Sequence, residues 1–455
     1  MKLSILKPHS ENDAANATPI YSVKDGGLNR SDAPQALQTL AAANDFTGAA
    51  GAVLAGPDGV LFGVGDGSDA LCAAALSEKL PAGVYTFATP LAAPAATLAA
   101  LGWMIGAYRF DRYKAAKPCE AVLIAPEGVN VDSVASAARA NALARDLVNT
   151  PGGDMTPAGI EAAARSLAQD YKAAISVIVG DDLLTENFPM VHAVGRAAAS
   201  APRLIDITWG RTEAPKLTLV GKGVSFDSGG LNIKGASGMV LMKKDMGGAA
   251  HALALGQMSM DAKLDVRLRI LAPAVENAIA GNAFRPGDVL ASRKGLTVEI
   301  GNTDAEGRLI LGDALALGAE DNPDLMISLA TLTGAARVAL GPDVVPFYTD
   351  NDELAAALSD ASVETADPIW RMPLWRNYDS MLSSSVADVN HISGNAFAGS
   401  VIAALFLNRF VGDTPYLHFD LYAWRPKRAP GRPVGAEAQA IRAIFTVLAD
   451  RYGGR

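Results

Sequence analysis

Two acids and an arginine, each two residues from the next, are the first residues of this 455-residue chain whose spacing suggests chemistry. They are Asp304, Glu306 and Arg308, within the segment Asn302–Arg308 that reads NTDAEGR. If the backbone is extended there, residues at positions i, i+2 and i+4 share one face. Two carboxylates this close repel each other, so the segment predicts a positive group between them. A metal ion is the first candidate, with Arg308 as a partial counter-charge.

A glycine-rich region upstream supplies two more acids, Asp227 and Asp245. They lie in Val220–Lys234, which reads VGKGVSFDSGGLNIK, and in Met242–Ala250, which reads MKKDMGGAA. The spacing fits neither a Walker A loop nor a dinucleotide-binding GxGxxG turn. Four anions in one cleft need several positive charges, and two divalent cations about 3.5–4 Å apart, bridged by carboxylates, would supply them. The residues therefore predict a two-metal hydrolase and leave open whether it cuts a peptide or a phosphate ester.

The histidines do not form a recognisable metal motif. The chain has five, without an HExxH or paired arrangement: His9, His192, His251, His391 and His418. We interpret His251, in a run of small residues, and His418, two residues before Asp420 in a strand-like run, as structural. No Ser-His-Asp or Cys-His grouping stands out. A carboxylate-dominated site suits Mg²⁺ or Mn²⁺ and can also take Zn²⁺.

Secondary-structure elements must bring these acids together. The alternating apolar run Leu296–Ile300 predicts a buried strand and Leu309–Leu317 a helix, so the NTDAEGR acids lie where open α/β sheets bind ligands. From Met155 onward strand-like and helical runs alternate, which predicts a mainly parallel sheet with helices on both faces. The predicted strands are Ala174–Val179, Arg203–Trp209, Leu217–Val224, Val266–Ala272, Leu296–Ile300, Leu325–Ala330 and Leu417–Leu421, and the last helix is Gly435–Tyr452.

The N-terminal part of the chain predicts a separate, smaller domain. Its strand-like runs are Ala49–Leu54, Val60–Val64 and Ala121–Ile124, and its helical runs are Asp69–Leu80 and Leu91–Tyr108. The aromatic-rich segment Gly102–Phe110 is interpreted as helix packing on the domain core, and Val131–Asn149 as a helix joining two domains. We therefore predict an α/β protein of two domains. They are a small N-terminal α/β domain (1–126), a linker and connecting helix (127–150), and a larger C-terminal catalytic domain (151–455) with a mixed, mainly parallel central sheet flanked by helices.

The composition of the chain limits the cellular compartment and the classes of binding partner that we expect. The net charge of −9 argues against an electrostatic nucleic-acid binder or a protein of anionic membranes. Two cysteines, Cys72 and Cys119, form no CxxC pair and favour a reduced, cytoplasmic setting. We expect no signal peptide and no membrane span, because no apolar run approaches about 20 residues.

At NTDAEGRLILGDAL the sequence resembles the leucine (cytosol) aminopeptidase family of dinuclear metallo-aminopeptidases. The likeness covers roughly residues 144 to 445. The combination of NTDAEGR with the upstream lysine and aspartate at these separations is highly specific. The matching segments are ARDLVNTP (Ala144–Pro151), VGKGVSFDSGG (Val220–Gly230), KKDMGGAA (Lys243–Ala250), NTDAEGRL (Asn302–Leu309), SLATLTGA (Ser328–Ala335) and SVIAALFLNRFV (Ser400–Val411).

The resemblance implies a role for each site residue. Lys222, Asp227, Asp245 and Glu306 would hold one metal, and Asp227, Asp304 and Glu306 the other, so that Asp227 and Glu306 bridge. The metals would be Mn²⁺ or Zn²⁺, with Mg²⁺ as a third candidate. Lys222 would ligate as the neutral amine, which requires a pKa far below the ordinary value near about 10.4. Lys234 and Arg308 would be the non-ligand catalytic residues, the latter beside a bicarbonate ion that shuttles the proton.

The implied reaction is attack of a metal-bridging hydroxide on the scissile carbonyl of peptides with a free N-terminus. Lys234 would stabilise the developing gem-diolate. The implied side-chain pocket consists of Met242, Asn302, Ala305, Thr331 and Gly334, with Leu332 contributing through its backbone. Met242 and the small Ala305 suggest an apolar pocket for Leu- or Met-like residues. Family members are homohexamers, so the resemblance also implies that assembly.

The sequence departs from the family near its C-terminus. His418–Trp424 reads HFDLYAW where relatives often read HxDxAG, so Tyr422 replaces a small residue. A proline- and arginine-rich run, Arg425–Pro433, follows. These departures predict an altered rim of the site or altered packing between subunits.

Three other functions remain as alternatives. A dipeptidase or Cys-Gly hydrolase would use the same site with a different rim. A DNA-binding regulator with incidental peptidase activity would need a basic groove, which the acidic charge disfavours. A catalytically dead scaffold is disfavoured because every expected metal and catalytic residue is present.

Overall fold

The computed structural model describes residues 3–453, which divide into two compact units. The first comprises the described residues up to Ala142, with Glu364–Ala366 and Arg425–Gly435, and the second comprises Leu143–Val363, Asp367–Trp424 and the described residues from Ala436 onward. Each unit has strands and helices of its own, which confirms the α/β class and the organisation in two domains. The boundaries placed at residues 126 and 150 stay a prediction.

The first unit contains a six-stranded sheet. Its strands are β1 (Leu6–Lys7), β2 (Thr18–Lys24), β3 (Val53–Gly56), β4 (Gly59–Gly65), β5 (Gly83–Phe87) and β6 (Ala121–Ile124), in the order β1-β6-β5-β2-β4-β3. Every neighbouring pair is parallel except β3 and β4. Its helices are α1 (Glu11–Ala15), α2 (Gln35–Ala43), α3 (Ala74–Lys79) and α4 (Ala95–Gly106). The fully buried Trp103 of α4 lies in the core, which confirms the interpretation of the aromatic-rich segment.

The arginine-rich run after Trp424 belongs to this first unit. The buried guanidinium of Arg432 contacts both carboxylate oxygens of Asp69, at 2.6 and 2.5 Å, and Arg428 pairs with Glu78. These contacts give the run a structural role within the first unit. That it alters the rim of the site or the packing between subunits stays a prediction.

The connecting helix α5 (Val131–Asn149) has the predicted bounds. Beyond it the strands are β7 (Ala174–Val179), β8 (Arg203–Trp209), β9 (Lys216–Gly221), β10 (Gly223–Asp227), β11 (Arg267–Asn277), β12 (Val289–Ala291), β13 (Thr297–Glu299), β14 (Leu325–Ala330), β15 (Val345–Tyr348), β16 (Ile369–Arg371), β17 (Val389–Asn390), β18 (Tyr416–Asp420), β19 (Trp424–Arg425) and β20 (Gly435–Ala436). The helices are α6 (Pro157–Tyr171), α7 (Asp182–Thr185), α8 (Pro189–Gly195), α9 (Ala236–Met239), α10 (Gly247–Asp261), α11 (Glu306–Glu320), α12 (Gly334–Leu340), α13 (Asp352–Glu364), α14 (Gly399–Asn408) and α15 (Ile441–Tyr452). Within residues 3–453, no helix is both long enough and apolar enough to cross a bilayer.

The second unit is organised on a nine-stranded sheet of order β16-β15-β18-β14-β9-β11-β8-β7, with β10 paired to β11. The central strands β18, β14, β9 and β11 are parallel, whereas β15, β8 and β7 each pair antiparallel with a neighbour. Helices α8, α11 and α14 contribute Met190, Leu311 and Phe406 to one large core against these strands. The prediction of a mixed, mainly parallel sheet flanked by helices is therefore confirmed.

Two strand predictions in the second unit are wrong in detail, and in the first unit the predicted Ala49–Leu54 overlaps β3 only at Val53 and Leu54. The run Leu296–Ile300 forms β13, which pairs with β12 and β17 in a separate three-stranded sheet and not in the central one. The run Leu217–Val224 forms two strands, β9 and β10, because the chain changes neighbours at Lys222. Alternation reports which side chains are buried, but not which remote strand becomes the partner.

Candidate active site

A break between two strands sets the position of Lys222. β9 ends at Gly221 between β11 and β14, and β10 begins at Gly223 and pairs with β11. At the break, the Lys222 amide donates to Leu329 O at 3.0 Å, and its carbonyl accepts from Ala249 N at 2.8 Å. The backbone of Lys222 is thus fixed by the central sheet on one side and by the first turn of α10 on the other.

The Lys222 side chain is buried among oxygen atoms. Its Nζ lies 2.7 Å from Asp245 Oδ2 and 3.0 Å from Glu306 Oε1, and it donates to Thr331 O at 2.9 Å. A lysine read from the sequence alone looks like a surface residue, yet this ammonium is 3% exposed. The pKa of Lys222 is lowered by burial, but the neighbouring carboxylates outweigh burial and raise it above its ordinary value.

Three buried carboxylates come together around this lysine. Asp227 ends β10, Asp245 lies in the 3-10 turn Met242–Met246, and Glu306 begins α11. Each offers one oxygen, and these oxygens lie within 4.8 Å of one another. Three different elements therefore converge on one point, as the sequence predicted for the acids but could not show.

Lys234 forms a second contact between the acids. Its Nζ lies 2.8 Å from Asp227 Oδ2 and 2.5 Å from Asp304 Oδ1. Burial lowers the pKa of Lys234, but the adjacent Asp227 and Asp304 carboxylates raise it above its ordinary value. The positive groups between the acids in this structure are thus Lys222 and Lys234.

The backbone of NTDAEGR is not extended, which corrects the reason given for its acids lying together. Thr303–Ala305 is a 3-10 turn whose cap is Asn302, with Oδ1 accepting from the Asp304 amide at 2.8 Å. Glu306 then begins a helix. The turn aims Asp304 toward Lys234 and Glu306 toward Lys222.

Arg308 forms no ion pair with these acids among the described residues. It is buried, its Nη1 donates to His391 O at 2.6 Å, and its Nε has no hydrogen-bond partner in the described structure. Burial lowers the pKa of Arg308 to about 10, opposed by the charges of Glu306 and Asp420. A buried cation with an uncommitted donor is a group that can hold an anion.

Burial acts on the pKa of all three clustered carboxylates. It raises the pKa of Glu306 to about 8, assisted by repulsion from Asp227 and opposed by Lys222. Burial and the Asp245 charge also raise the pKa of Asp227. Burial disfavours the ionised form of Asp245 too, but the Lys222 ammonium outweighs it and holds the pKa of Asp245 below its usual range.

The chemistry of these donors fits divalent cations. Glu306 Oε2 is buried and accepts no hydrogen bond from the described residues. A carboxylate oxygen in that position is costly unless a cation or proton compensates it. Clustered carboxylate oxygens are the ligands preferred by Mg²⁺ and Mn²⁺ and accepted by Zn²⁺. Asp227, Asp245 and Glu306 therefore have the types and the placement that metal ligands need, and Lys222 lies among their oxygens.

The residues expected to form a substrate pocket lie beside this cluster. Thr331 contacts two residues of the cluster. Its carbonyl accepts from Lys222, and its Oγ1 donates to Asp245 Oδ1 at 2.8 Å. Leu332 follows it, and Gly334 begins α12. Met242 begins the turn that carries Asp245, and Asn302 and Ala305 flank Asp304. That these six residues bind a substrate side chain stays a prediction.

Two residues that organise the site were not predicted to do so. Asn277, the last residue of β11, donates from Nδ2 to Asp227 Oδ1 at 2.8 Å and to Thr303 O at 3.0 Å. Asp420, the last residue of β18, accepts from the Leu332 and Thr333 amides at 3.0 Å each. Both are polar residues that end an apolar strand, and that position was the signal available in the sequence.

His251 has the structural role expected for it. Its Nδ1 lies 2.6 Å from Gly247 O, and its Nε2 accepts from the Gln439 amide at 3.0 Å. Both ring nitrogens of His251 therefore form hydrogen bonds with backbone groups. Burial lowers the pKa of His251 to about 4. The metal-ligand cluster found among residues 3–453 contains no histidine.

Sequence comparison places this site in a known context. The sequence model described as "Cytosol aminopeptidase family, catalytic domain" matches residues 142–445, and that described as "M17 aminopeptidase, N-terminal domain" matches residues 28–126. A probable cytosol aminopeptidase of Roseiflexus castenholzii is 39% identical over 371 residues, covering 77% of this chain and 75% of that one. One of Geobacter sp. is 40% identical over 366 residues, covering 77% and 74%.

Solved structures agree over nearly the whole chain. A cytosol aminopeptidase from Coxiella burnetii superimposes with a TM-score of 0.92 at 44% identity, covering 98% of this chain and 99% of that one. The bottromycin maturation enzyme BotP, in complex with Mn, superimposes with a TM-score of 0.86 at 32% identity, covering 96% and 100%. Both similarities extend over the two units and the candidate site.

Proposed function

This chain belongs to the cytosol aminopeptidase family of metal-dependent hydrolases, and from that premise we propose that it removes single N-terminal residues from peptides at a dinuclear metal centre. The observation that carries the proposal is the buried cluster of Asp227, Asp245 and Glu306, with the Lys222 amine among their oxygens. Asp304 supplies a fourth acid through its contact with Lys234.

The proposed ligands divide between two cations. Lys222, Asp227, Asp245 and Glu306 would hold one, and Asp227, Asp304 and Glu306 the other. Two divalent cations, Mn²⁺ or Zn²⁺ with Mg²⁺ as a third candidate, would polarise the scissile carbonyl and ionise a water as the nucleophile. The carboxylate oxygens support this choice of metals, and one structural relative was solved with Mn.

Two lysines in the site would have opposite protonation states. Lys222 can ligate only after losing its proton, because an ammonium group has no lone pair. Lys234 is not a ligand in this proposal and would keep its proton, with its Nζ beside Asp227 and Asp304. Its ammonium would then donate to the oxyanion that develops on the scissile carbonyl.

Arg308 would hold the anion that moves the proton. It is the third residue of α11, its Nε is buried without a partner, and the helix N-terminus adds to its positive potential. We propose bicarbonate as this anion, which would accept the proton released by the attacking water.

Specificity would begin with the free α-amine and continue in the pocket of Met242, Asn302, Ala305, Thr331, Leu332 and Gly334. Met242 and Ala305 favour apolar N-terminal residues such as Leu. We also propose a homohexamer in the cytoplasm, as membership of the family implies.

The test is hydrolysis of leucine p-nitroanilide and a leucyl dipeptide by metal-free protein reloaded with Mn²⁺, Zn²⁺ or Mg²⁺. Release of the N-terminal residue is expected, and an N-acetylated substrate should be inert. Glu306→Gln should lose activity by at least about 100-fold. Asp206→Asn is the matched control, because Asp206 pairs with Arg269 at a distance of 2.6 Å in the sheet and not with the site. Failure to cleave any free-amine peptide at any metal loading would contradict the proposal.

A further inference from the structure

The ring of Tyr422 lies within cation–π distance of two basic side chains. Arg337 Cζ is 4.7 Å from the ring centroid, and Lys244 Nζ is 4.9 Å from it. The guanidinium of Arg337 forms no ion pair with the described residues, and its described hydrogen bond joins Nη1 to Thr333 O at 3.2 Å. A guanidinium with uncommitted donors that stacks on an aromatic ring is suited to binding a carboxylate.

This cation lies close to the candidate metal centre. Thr331 contacts both Lys222 and Asp245, and Gly334 follows three residues later, hence within about 11 Å along the chain. A Cβ atom built on Gly334 would lie 3.6 Å from Arg337 Nη2. Because position 334 has no side chain, nothing from that residue covers the guanidinium.

The other charges around Tyr422 do not neutralise Arg337. Asp420 precedes Tyr422 by two residues, but its Oδ1 accepts from the Leu332 and Thr333 amides. Its Oδ2 accepts from Thr333 Oγ1 at 2.6 Å and Ser400 Oγ at 2.8 Å. Asp245 faces Lys222 and Thr331. The group that a substrate side chain would meet beyond Gly334 is therefore positive.

We propose that Arg337, positioned by the ring of Tyr422, binds the side-chain carboxylate of an acidic N-terminal residue. The inference rests on the proposed function and adds glutamyl peptides to its apolar substrates. Glutamate suits the site because its side-chain carboxylate can pair with the guanidinium. Tyr422 is a positioning residue in this proposal, since it acts through Arg337.

The experiment compares glutamate, glutamine and leucine p-nitroanilides with the metal-loaded, full-length enzyme. The p-nitroanilides have no C-terminal carboxylate. A leucyl dipeptide has one, so it tests whether Arg337 binds a C-terminal carboxylate instead of an acidic side chain. Arg337→Met should lower the ratio of kcat/KM for glutamate to that for leucine on the order of tenfold, mainly through KM. The ratio for glutamine to leucine should fall less. Arg165→Met is the control, since Arg165 is exposed and pairs with Glu161 within α6.

Substitutions of Tyr422 test the positioning role. Tyr422→Phe keeps the ring and should keep the glutamate-to-leucine ratio, whereas Tyr422→Ala should lower it as Arg337→Met does. A ratio unchanged in Arg337→Met while leucine is still cleaved would overturn this inference and leave the proposed function standing. An equal fall on all substrates, or a fall confined to the leucyl dipeptide, would also overturn it. Absence of cleavage of every substrate by the unsubstituted enzyme would instead overturn the proposed function.

Discussion

Lys222 shows how far the surroundings of a residue change its chemistry. The side chain is buried, and its amine contacts Asp245, Glu306 and Thr331 O. Without metal, the neighbouring carboxylates favour the ammonium form, whereas a metal ligand must be the neutral amine. Metal binding by the proposed centre therefore has to displace a proton from this residue.

Substitution of Lys222 by methionine should weaken both metal binding and the metal-free fold. Removing the ammonium leaves Asp245 and Glu306 buried without their partner, and breaking a buried ion pair costs about 3 kcal/mol or more. Activity should fall by at least about 100-fold. The measurements are urea denaturation in chelator and titration with Mn²⁺. A variant that binds Mn²⁺ as well as the unsubstituted protein would contradict this role.

His251 predicts a loss of stability in acid. Its folded pKa of about 4 lies below the unfolded value of about 6.5, so the unfolded chain binds the additional proton. The stabilisation is complete above the unfolded pKa and is lost as the pH falls from there through 4, by at most about 3 kcal/mol. His251→Gln should show a shallower decline in the free energy of unfolding over this range. An unchanged slope would show that His251 does not titrate in this way.

At the scale of elements, the site depends on close contact between β9 and α10. A Cβ on Gly248 would lie 2.1 Å from Leu329 O and 2.7 Å from Lys222 N, both backbone atoms. These atoms belong to the break that positions Lys222. The glycine pair 247–248 is thus required by packing at this point, in addition to any freedom it gives the backbone.

Gly248→Ala should therefore destabilise the second unit by about 3 kcal/mol or more and reduce activity, because backbone atoms cannot move aside as a side chain can. Gly281→Ala is the matched control, since nothing lies within 4 Å of its added Cβ. Thermal unfolding and kcat/KM of the two variants give the comparison. Equal stability of the two would contradict the packing argument.

At the scale of the whole molecule, the proposed centre joins β9, β10, α11 and the turns between them. Its acids are far apart in sequence, from Asp227 to Glu306, and repel each other once ionised. Lys222 and Lys234 place positive charge beside these acids. Metal binding should thus stabilise the second unit as a whole and not one loop.

Removal of metal should lower the thermal midpoint of the second unit. A ligand that binds only the folded state at 100 times its dissociation constant contributes about 2.7 kcal/mol. The midpoint should rise with added Mn²⁺ in the unsubstituted protein and in Asp206→Asn. It should not rise in Glu306→Gln over the same range of concentration. If neither Mn²⁺ nor Zn²⁺ changed the thermal midpoint of any variant, a metal centre at this site would be contradicted.

The sequence by itself determined the class of fold, the family and the set of acids. Periodicity predicted β7, β8, β14 and α5 to the residue, because burial leaves a pattern in the local sequence. It missed β12, β15, β16 and β17 of the second unit. It missed β1, β2 and β5 of the first unit, which are short or have a mixed burial pattern. The motifs around Asp227, Asp245 and Glu306 identified the family because function restricts residue type and spacing together.

Only the tertiary structure decided which groups meet. The structure shows that Lys222 lies at a break between two strands. It also shows that NTDAEGR contains a 3-10 turn where an extended backbone was predicted, and that β13 belongs to a separate sheet. It also showed that Asn277 holds Asp227 and that Tyr422 supports Arg337. These contacts join residues up to 109 positions apart, as for Lys222 and Thr331, and local sequence carries no record of such distances. Long-range contact depends on strand pairing and packing, which the chain settles only when it folds.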